Sequence, residues 1–130
     1  MDKKLNLIKE WLHKAKNDLG IAKLAIDNKA EYTDAICFHC QQSVEKHLKA
    51  YLIDQDIKFK KTHSISYLLD LVNDIEEISD NLYEKAEILE SYAVEVRYPD
   101  NWYEPTKDEA VEAYNIALEF KKYVLERIVI

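Results

Sequence analysis

The chain has 130 residues, of which 48% are apolar, so it suits a single domain with a proper hydrophobic core. One glycine, two prolines and 33% charged residues favour a soluble helical protein, and the net charge of −7 argues against a broad surface that coats nucleic acid. No apolar run approaches the roughly 20 residues that span a bilayer, and the first residues lack the apolar core of a signal peptide. We therefore expect a cytoplasmic protein.

The first three predicted helices follow from apolar spacing and from turn signals. The first covers about residues 3–28, with one apolar stripe at three- and four-residue steps. The second runs over about 33–54, where the polar run DQDIKFKKT ends it. A short third helix, capped by Ser64 or Thr62, carries apolar residues at Ile65, Leu68, Leu69, Val72 and Ile75.

Two further helices complete the predicted fold. The fourth covers about residues 81–96, and Pro99 disfavours helical geometry at Tyr98, so we expect the helix to end there. The fifth opens with a capping box from Thr106 to Glu109 and continues to the end of the chain. The short connections predict an all-α, antiparallel up-and-down helical bundle of four long helices plus one short helix, in one domain.

The segment CFHCQQSVEKHLKAYL, residues 37–52, combines residue types that bind metals, transfer protons and hold phosphates. Structural zinc needs four ligands in a tetrahedral array, but Cys37 and Cys40 lie in an uninterrupted helical pattern and the chain has no other cysteine. Neither a helix N-terminus nor a glycine-rich turn lies beside them to stabilise a thiolate. We therefore predict buried structural thiols, with no metal site and no catalytic cysteine.

The other residues of this segment sort by helical spacing. An apolar sector faces the bundle and contains Ile36, Cys37, Cys40, Val44, Leu48, Tyr51 and Leu52. Beside it, Phe38, Gln42 and Glu45 form a second stripe, which Lys49 continues. Two interpretations remain open: a contact with a neighbouring subunit, or a solvated face on which the glutamines have no role.

Charge is distributed unevenly along the chain. Between Lys46 and His63 five lysines stand against two aspartates, whereas between Asp70 and Glu104 eleven acidic residues face two basic ones. One small basic region on an otherwise acidic protein favours a discrete phosphate site or a partner contact.

Four motifs occur in an order that is more specific than any one of them. They are WLHKAKNDL at residues 11–19, FHCQQ-x-x-E-K-x-L-K-A at 38–50, KKTHSISYLL at 60–69 and VRYPD at 96–100, before the last helix. In this order they resemble the HEPN family, the higher-eukaryote and prokaryote nucleotide-binding domain, in its small stand-alone prokaryotic form. The resemblance covers nearly the whole chain.

The resemblance implies a helical bundle that associates as a homodimer. It also implies a role as one half of a two-gene, toxin–antitoxin-like pair whose other half is a small nucleotidyltransferase. Many members of the wider family are metal-independent ribonucleases, so the resemblance implies no cofactor. Their signature is an arginine followed, after four to six residues, by a histidine at the start of the last long helix.

That ribonuclease signature is broken in this sequence. Arg97 has the place of the arginine, but Trp102, Tyr103 and Glu104 occupy the positions of the histidine, and no histidine follows Arg97. Cleavage of RNA through its 2′-hydroxyl needs groups that exchange protons near neutral pH, as histidine does. We therefore expect nucleotide or RNA binding without turnover; the alternatives are a ribonuclease with a non-standard active site and a pure protein-interaction subunit.

The candidate phosphate- and nucleotide-binding residues are Arg97, Tyr98, His63, Lys60, Lys61, Lys46 and Trp102. Arg97 is either a phosphate clamp or the partner of an acidic neighbour, and the two aromatic residues either stack on bases or anchor their loop. His63, beside two lysines at a helix N-terminus, either meets an anion or serves as a cap or loop contact. The candidate dimer contacts are Phe38, Gln41, Gln42 and Glu45.

Overall fold

A computed structural model describes residues 2–95 and 104–128 of the chain. In these residues it contains five α-helices and no strand: α1 (Asp2–Asn28), α2 (Thr33–Asp54), α3 (Ile65–Asn73), α4 (Asp80–Glu95) and α5 (Lys107–Leu125). The predicted all-α fold is confirmed, and the bounds of α1 and α2 agree closely with those expected from spacing. The third and fifth helices end earlier than predicted, at Asn73 and Leu125. The predicted end of the fourth helix at Tyr98 lies outside the described residues.

Helices α1 and α2 form an antiparallel pair. The predicted stripe of α1 lies against the core, with Ile8, Ala15, Leu19 and Ala22 buried. The Ser43 hydroxyl of α2 donates to the Ala15 carbonyl of α1 at 3.1 Å. Serine and alanine are small, so the backbones of the two helices approach closely at this point. This close approach fixes which polar residues of α1 face which residues of α2.

Helix α2 is the centre of the bundle, because it packs against each of the other four helices. Its predicted apolar sector is buried, and so are the polar residues Gln41, Ser43, Glu45, His47 and Lys49. Buried polar groups are stable only where they find partners. The contacts of these buried polar residues therefore mark the part of α2 where a functional site is expected.

A Schellman-type turn ends α2 and begins the loop to α3. The Ile57 amide donates to the Leu52 carbonyl at 2.9 Å and the Asp56 amide donates to the Ile53 carbonyl at 3.0 Å. Asp56 adopts a positive φ of 60°, a conformation that aspartate tolerates better than most residues. The turn reverses the chain, so that residues 58–63 return along α2.

The starts of α3 and α5 are capped as the sequence predicts. The Ser64 hydroxyl accepts from the Tyr67 amide at 3.1 Å, and the Thr106–Glu109 capping box is complete. One predicted core residue is wrong: Ile75 is exposed because α3 already ends at Asn73. Ile78 is buried instead, and its amide donates to the Asn73 side chain at 2.8 Å.

Both cysteines lie in the core, as predicted. Burial raises the pKa of each thiol, Cys37 and Cys40, to about 12, so both stay protonated at neutral pH. Among the helices of the described residues, none is both long and apolar enough to cross a membrane.

Candidate functional site

The predicted site residues divide into two groups. Arg97, Tyr98 and Trp102 lie outside the described residues. His63, Lys60, Lys61 and Lys46 are described. His63 contacts Glu45 of α2, Lys46 contacts Asp18 of α1, and Lys60 and Lys61 are exposed on the loop that returns along α2.

Asp18 joins α1 to α2 at this surface. Its carboxylate is largely buried, with 9% of the side chain exposed, and accepts from His39 Nδ1 at 2.8 Å and from Lys46 Nζ at 2.6 Å. A carboxylate that accepts two charge-assisted hydrogen bonds holds both donors in fixed positions. Lys46 and His39 are therefore anchored rather than free surface side chains.

Glu45 and His63 form a second carboxylate–histidine pair, between α2 and the loop. Glu45 Oε2 lies 3.2 Å from His63 Nδ1; the carboxylate is 2% exposed and the imidazole 81% exposed. Burial raises the pKa of Glu45, and His63, Lys49 and Lys46 oppose that rise. A buried carboxylate thus holds an exposed imidazole at the protein surface.

Lys49 connects α1, α2 and the loop through one ammonium group. Its Nζ donates to the Thr62 carbonyl at 2.8 Å and lies 5.1 Å from the centre of the Trp11 ring. Lys14, an exposed residue of α1, reaches the same ring at 5.8 Å. Desolvation lowers the pKa of Lys49, although the nearby Glu45 carboxylate partly offsets this effect.

The basic loop, residues 58–63, is also fixed at its start. The Lys60 amide donates to the Tyr67 hydroxyl at 3.1 Å, and its ammonium group lies 4.9 Å from the centre of the Tyr67 ring. Lys60 and Lys61 are both exposed. The loop therefore presents its positive charge from an ordered backbone.

These contacts define a polar face, composed of Trp11, Lys14 and Asp18 from α1, His39, Gln42, Lys46 and Lys49 from α2, and His63 from the loop. The α2 members recur at three- and four-residue steps, so they share one side of the helix. Ammonium and imidazole groups beside an aromatic ring match the chemistry of nucleotides, which combine phosphate with a base. The arrangement is suited to holding a phosphate-bearing ligand.

The candidate dimer contacts are placed unequally. Phe38 is 51% exposed and Gln42 is partly exposed, but Gln41 and Glu45 are 6% and 2% exposed. The interpretation of the second stripe as a solvated face is wrong for Glu45, because Glu45 is buried. Gln41, outside that stripe, is buried as well, so neither side chain is at the surface of the subunit. A contact with a second subunit on this side would rest on Phe38 and Gln42.

Sequence reasoning did not name four residues of the polar face as site residues: Trp11, Lys14, Asp18 and Lys49. The first three were visible only as parts of the WLHKAKNDL motif, and Lys49 only as the continuation of a stripe. Their roles depend on the register between α1 and α2, which spacing within one helix does not determine. Asp18 in particular lies 21 residues from His39 in sequence and 28 from Lys46.

A groove between α4 and α5 offers different chemistry. It has a volume of about 310 Å³, and its charged lining consists of Lys85, Asp108, Glu112 and Glu119. Three carboxylates against one ammonium group disfavour a phosphate ligand. Within the described part of the chain, no group of three or more His, Cys, Asp or Glu residues is placed to hold a metal ion.

The five helices and the polar face on α1 and α2 place this chain in the class of small helical-bundle proteins. Comparison with known proteins identifies the family within that class. The HEPN domain model matches residues 8–128. The chain therefore belongs to the HEPN domain family. It is 31% identical over 138 residues to "Putative toxin MJ1304" of Methanocaldococcus jannaschii, covering 92% of this chain and 89% of that protein.

Solved structures agree with this assignment. The archaeal HEPN homologue ST0689 is 30% identical with a TM-score of 0.75, covering 94% of this chain and 98% of that one. TT1696 from Thermus thermophilus is 27% identical with a TM-score of 0.80, covering 93% and 98%. An HEPN domain protein from Thermotoga maritima is 25% identical with a TM-score of 0.74, covering 92% and 99%.

Proposed function

We propose that this HEPN protein binds single-stranded RNA through phosphate contacts on its polar face and basic loop, without cleaving it. The observation that carries the proposal is the ordered return of the basic loop along α2, fixed by Lys49 on Thr62 and by Glu45 on His63. Lys60 and Lys61 are exposed on this loop, which also carries the exposed imidazole of His63, on an otherwise acidic protein. A local concentration of positive charge favours phosphate contacts at a defined place.

The biological role that we propose is that of the toxin-like half of a cytoplasmic toxin–antitoxin-like pair. Support comes from membership of the HEPN family and from similarity to a protein named as a toxin. The other half would be a small nucleotidyltransferase. Co-purification of this chain with the product of an adjacent nucleotidyltransferase frame tests the pair, and failure of the two proteins to associate at micromolar concentration would argue against it.

The proposed absence of turnover rests on the sequence after Arg97, which contains no histidine. An arginine holds phosphate through bidentate hydrogen bonds but stays protonated, so it does not act as a base at neutral pH. We assign Arg97 the role of a phosphate clamp. Tyr98 and Trp102 are proposed as aromatic contacts of the same ligand.

We also propose that the protein is a homodimer, with Phe38 and Gln42 at the contact. A large aromatic side chain that is half exposed on a well-ordered helix suits a subunit interface. Sedimentation of the wild type at micromolar concentration should give the mass of a dimer, and Phe38→Glu should shift it towards a monomer. A monomeric wild type would contradict the proposal.

The binding proposal is tested with a fluorescein-labelled single-stranded RNA and the double variant Lys60→Gln/Lys61→Gln. We expect weaker binding, and a salt dependence that is shallower by about 0.7 for each phosphate that the variant no longer neutralises. The matched control is Lys9→Gln/Lys16→Gln, which removes the same charge from exposed positions on α1, roughly 140–160° around the helix from Trp11. Equal effects of the two double variants would show that only net charge matters.

A ribonuclease with a non-standard active site is the second candidate function. It is favoured by the two carboxylate–histidine pairs, Asp18 with His39 and Glu45 with His63. Such pairs orient an imidazole for proton transfer in many enzymes. This candidate predicts RNA cleavage with a histidine-like pH profile, and it predicts that the cleavage is lost in His63→Ala. A pure protein-interaction subunit, by contrast, predicts no RNA binding even at low salt.

A further inference from the structure

The indole of Trp11 lies at the meeting point of α1, α2 and the basic loop. It packs against the core with part of its surface, and two ammonium groups lie over its ring, those of Lys49 and Lys14. The two lysines differ in their surroundings. Lys49 is 7% exposed and bonded to the loop at Thr62, whereas Lys14 is exposed.

This difference decides which contact a ligand can replace. Removal of Lys49 from the ring would break its hydrogen bond to the Thr62 carbonyl and leave a buried donor without a partner, which is costly. The contact of Lys14 is an exposed cation–π contact, typically worth about 0.5–1 kcal/mol, and stacking of a nucleobase on an aromatic ring stabilises more than that. A base can therefore take the place of the Lys14 ammonium group at little cost.

The position of the ring relative to phosphate-binding groups is equally favourable. Lys49 contacts Trp11 on one side and the carbonyl of Thr62 on the other, so the ring and the residue before His63 share one ammonium group. The neighbouring nucleotide of a single strand offers its phosphate to the exposed imidazole and to the loop lysines. An aromatic platform beside a basic track is how single strands are bound without base pairing.

We propose that Trp11 is a stacking platform for a nucleobase of single-stranded RNA. The inference rests on the proposed function for its phosphate contacts, and it adds a contact with the base. Stacking on Trp11 requires a single-stranded ligand, because the bases of a duplex are stacked on one another and present no free face. Lys14, displaced from the ring, is free to pair with a phosphate of the same strand.

The test compares a single-stranded oligonucleotide with an abasic ribose-phosphate strand of the same length and charge, by fluorescence anisotropy on the full chain. The wild type should prefer the base-bearing strand, and one stacked base accounts for roughly 5- to 150-fold of such a preference. Trp11→Leu should reduce the preference by a factor in this range, with the proposed contacts of Tyr98 and Trp102 left in place, while it keeps its affinity for the abasic strand. Trp11→Phe should be intermediate, and it serves as the second variant if Trp11→Leu does not fold.

The matched control is Tyr32→Leu, which removes an exposed aromatic side chain at the far end of the α1–α2 pair and should keep the preference. Equal binding of both strands by the wild type would overturn the stacking platform and leave the phosphate contacts standing. A preference of undiminished size in Trp11→Leu would also overturn it. If neither strand binds at low salt, the proposed function itself fails, and the platform fails with it.

Discussion

Among the four histidines, His47 is the one that is buried. Its Nδ1 lies 3.0 Å from the Ser43 carbonyl, so this nitrogen carries the proton and donates it. Burial lowers the pKa of His47 to about 4, and the imidazole is neutral throughout the physiological range. A histidine in this state supports the fold and takes no part in ligand binding.

His47 makes stability depend on pH with a definite sign. An exposed histidine titrates near pH 6.5, so between this value and about pH 4 the unfolded chain binds a proton that the folded chain does not. The contribution of neutral His47 to the free energy of unfolding is fully present above about pH 6.5. It decreases as the pH falls, and roughly 3 kcal/mol of it is lost by pH 4. We expect the free energy of unfolding of His47→Gln, measured by urea denaturation, to fall less steeply than that of the wild type.

The exposed His13 provides the matched control for this experiment. His13→Gln should retain the pH dependence of the wild type, because the change lies at an exposed position and leaves the buried His47 in place. Wild-type and His47→Gln curves that stay parallel between pH 7 and pH 4.5 would show that His47 is not buried as a neutral group.

At the residue scale, the sequence predicts burial better than it predicts partners. The apolar sector of α2 and both cysteines are where the three- and four-residue spacing places them. The pairing of Asp18 with His39 and Lys46 was not predictable, because it requires the relative rotation and translation of two helices. That register results from packing over the whole helix interface.

At the scale of helices, local chemistry was sufficient to place most ends. The Thr106–Glu109 capping box marks the start of α5 in the sequence and is present in the structure. The error at Ile75 has the opposite cause: the apolar period continues past Asn73 although the helix does not. Periodicity predicts a face, whereas hydrogen bonds such as that from Ile78 to Asn73 decide where the face ends.

The α5 cap gives a prediction at this scale. Thr106→Ala removes the hydroxyl that accepts from the Glu109 amide at 3.1 Å, and we expect it to destabilise the protein by about 1 kcal/mol. Thr106→Ser keeps the hydroxyl and should stay within a few tenths of the wild type. Thermal or urea denaturation measures both, and equal loss in the two variants would mean that the cap bond contributes nothing.

The loop between α2 and α3 has no regular secondary structure, but hydrogen bonds and a ring contact hold it along its length. Its start is fixed by the Schellman-type turn at Asp56, its middle by Lys60 on Tyr67, and its end by Lys49 on Thr62. The sequence indicated only that DQDIKFKKT interrupts the helical pattern. The direction in which the loop returns follows from the turn and from the buried Lys49, neither of which the composition of the loop reveals.

For the molecule as a whole, composition and motif order predicted the bundle and the family, and both are confirmed. The central position of α2 was not predicted. This position explains why α2 carries so many buried polar residues. A helix surrounded by four others has little solvent-facing surface, so its polar residues must find partners inside the protein. The motif FHCQQ-x-x-E-K-x-L-K-A therefore combines core positions with internal polar contacts.

The charge of the molecule fits a ligand that binds at one place. A net charge of −7 disfavours RNA over most of the surface, and the RNA binding that we propose is confined to the basic loop and the polar face. Few phosphate contacts should therefore form, so the logarithm of the binding constant should fall only gradually with the logarithm of the salt concentration. The central claim is that such binding occurs without cleavage.

A time course of fluorescence anisotropy with end-labelled single-stranded RNA and excess protein at low salt tests this claim most directly. Binding raises the anisotropy, and cleavage releases a short labelled fragment and lowers it again. We predict a rise to a plateau that stays constant for hours, and a smaller rise for Arg97→Ala. A wild-type signal that decays, with the decay abolished in Arg97→Ala, would contradict the account, as would the absence of any rise.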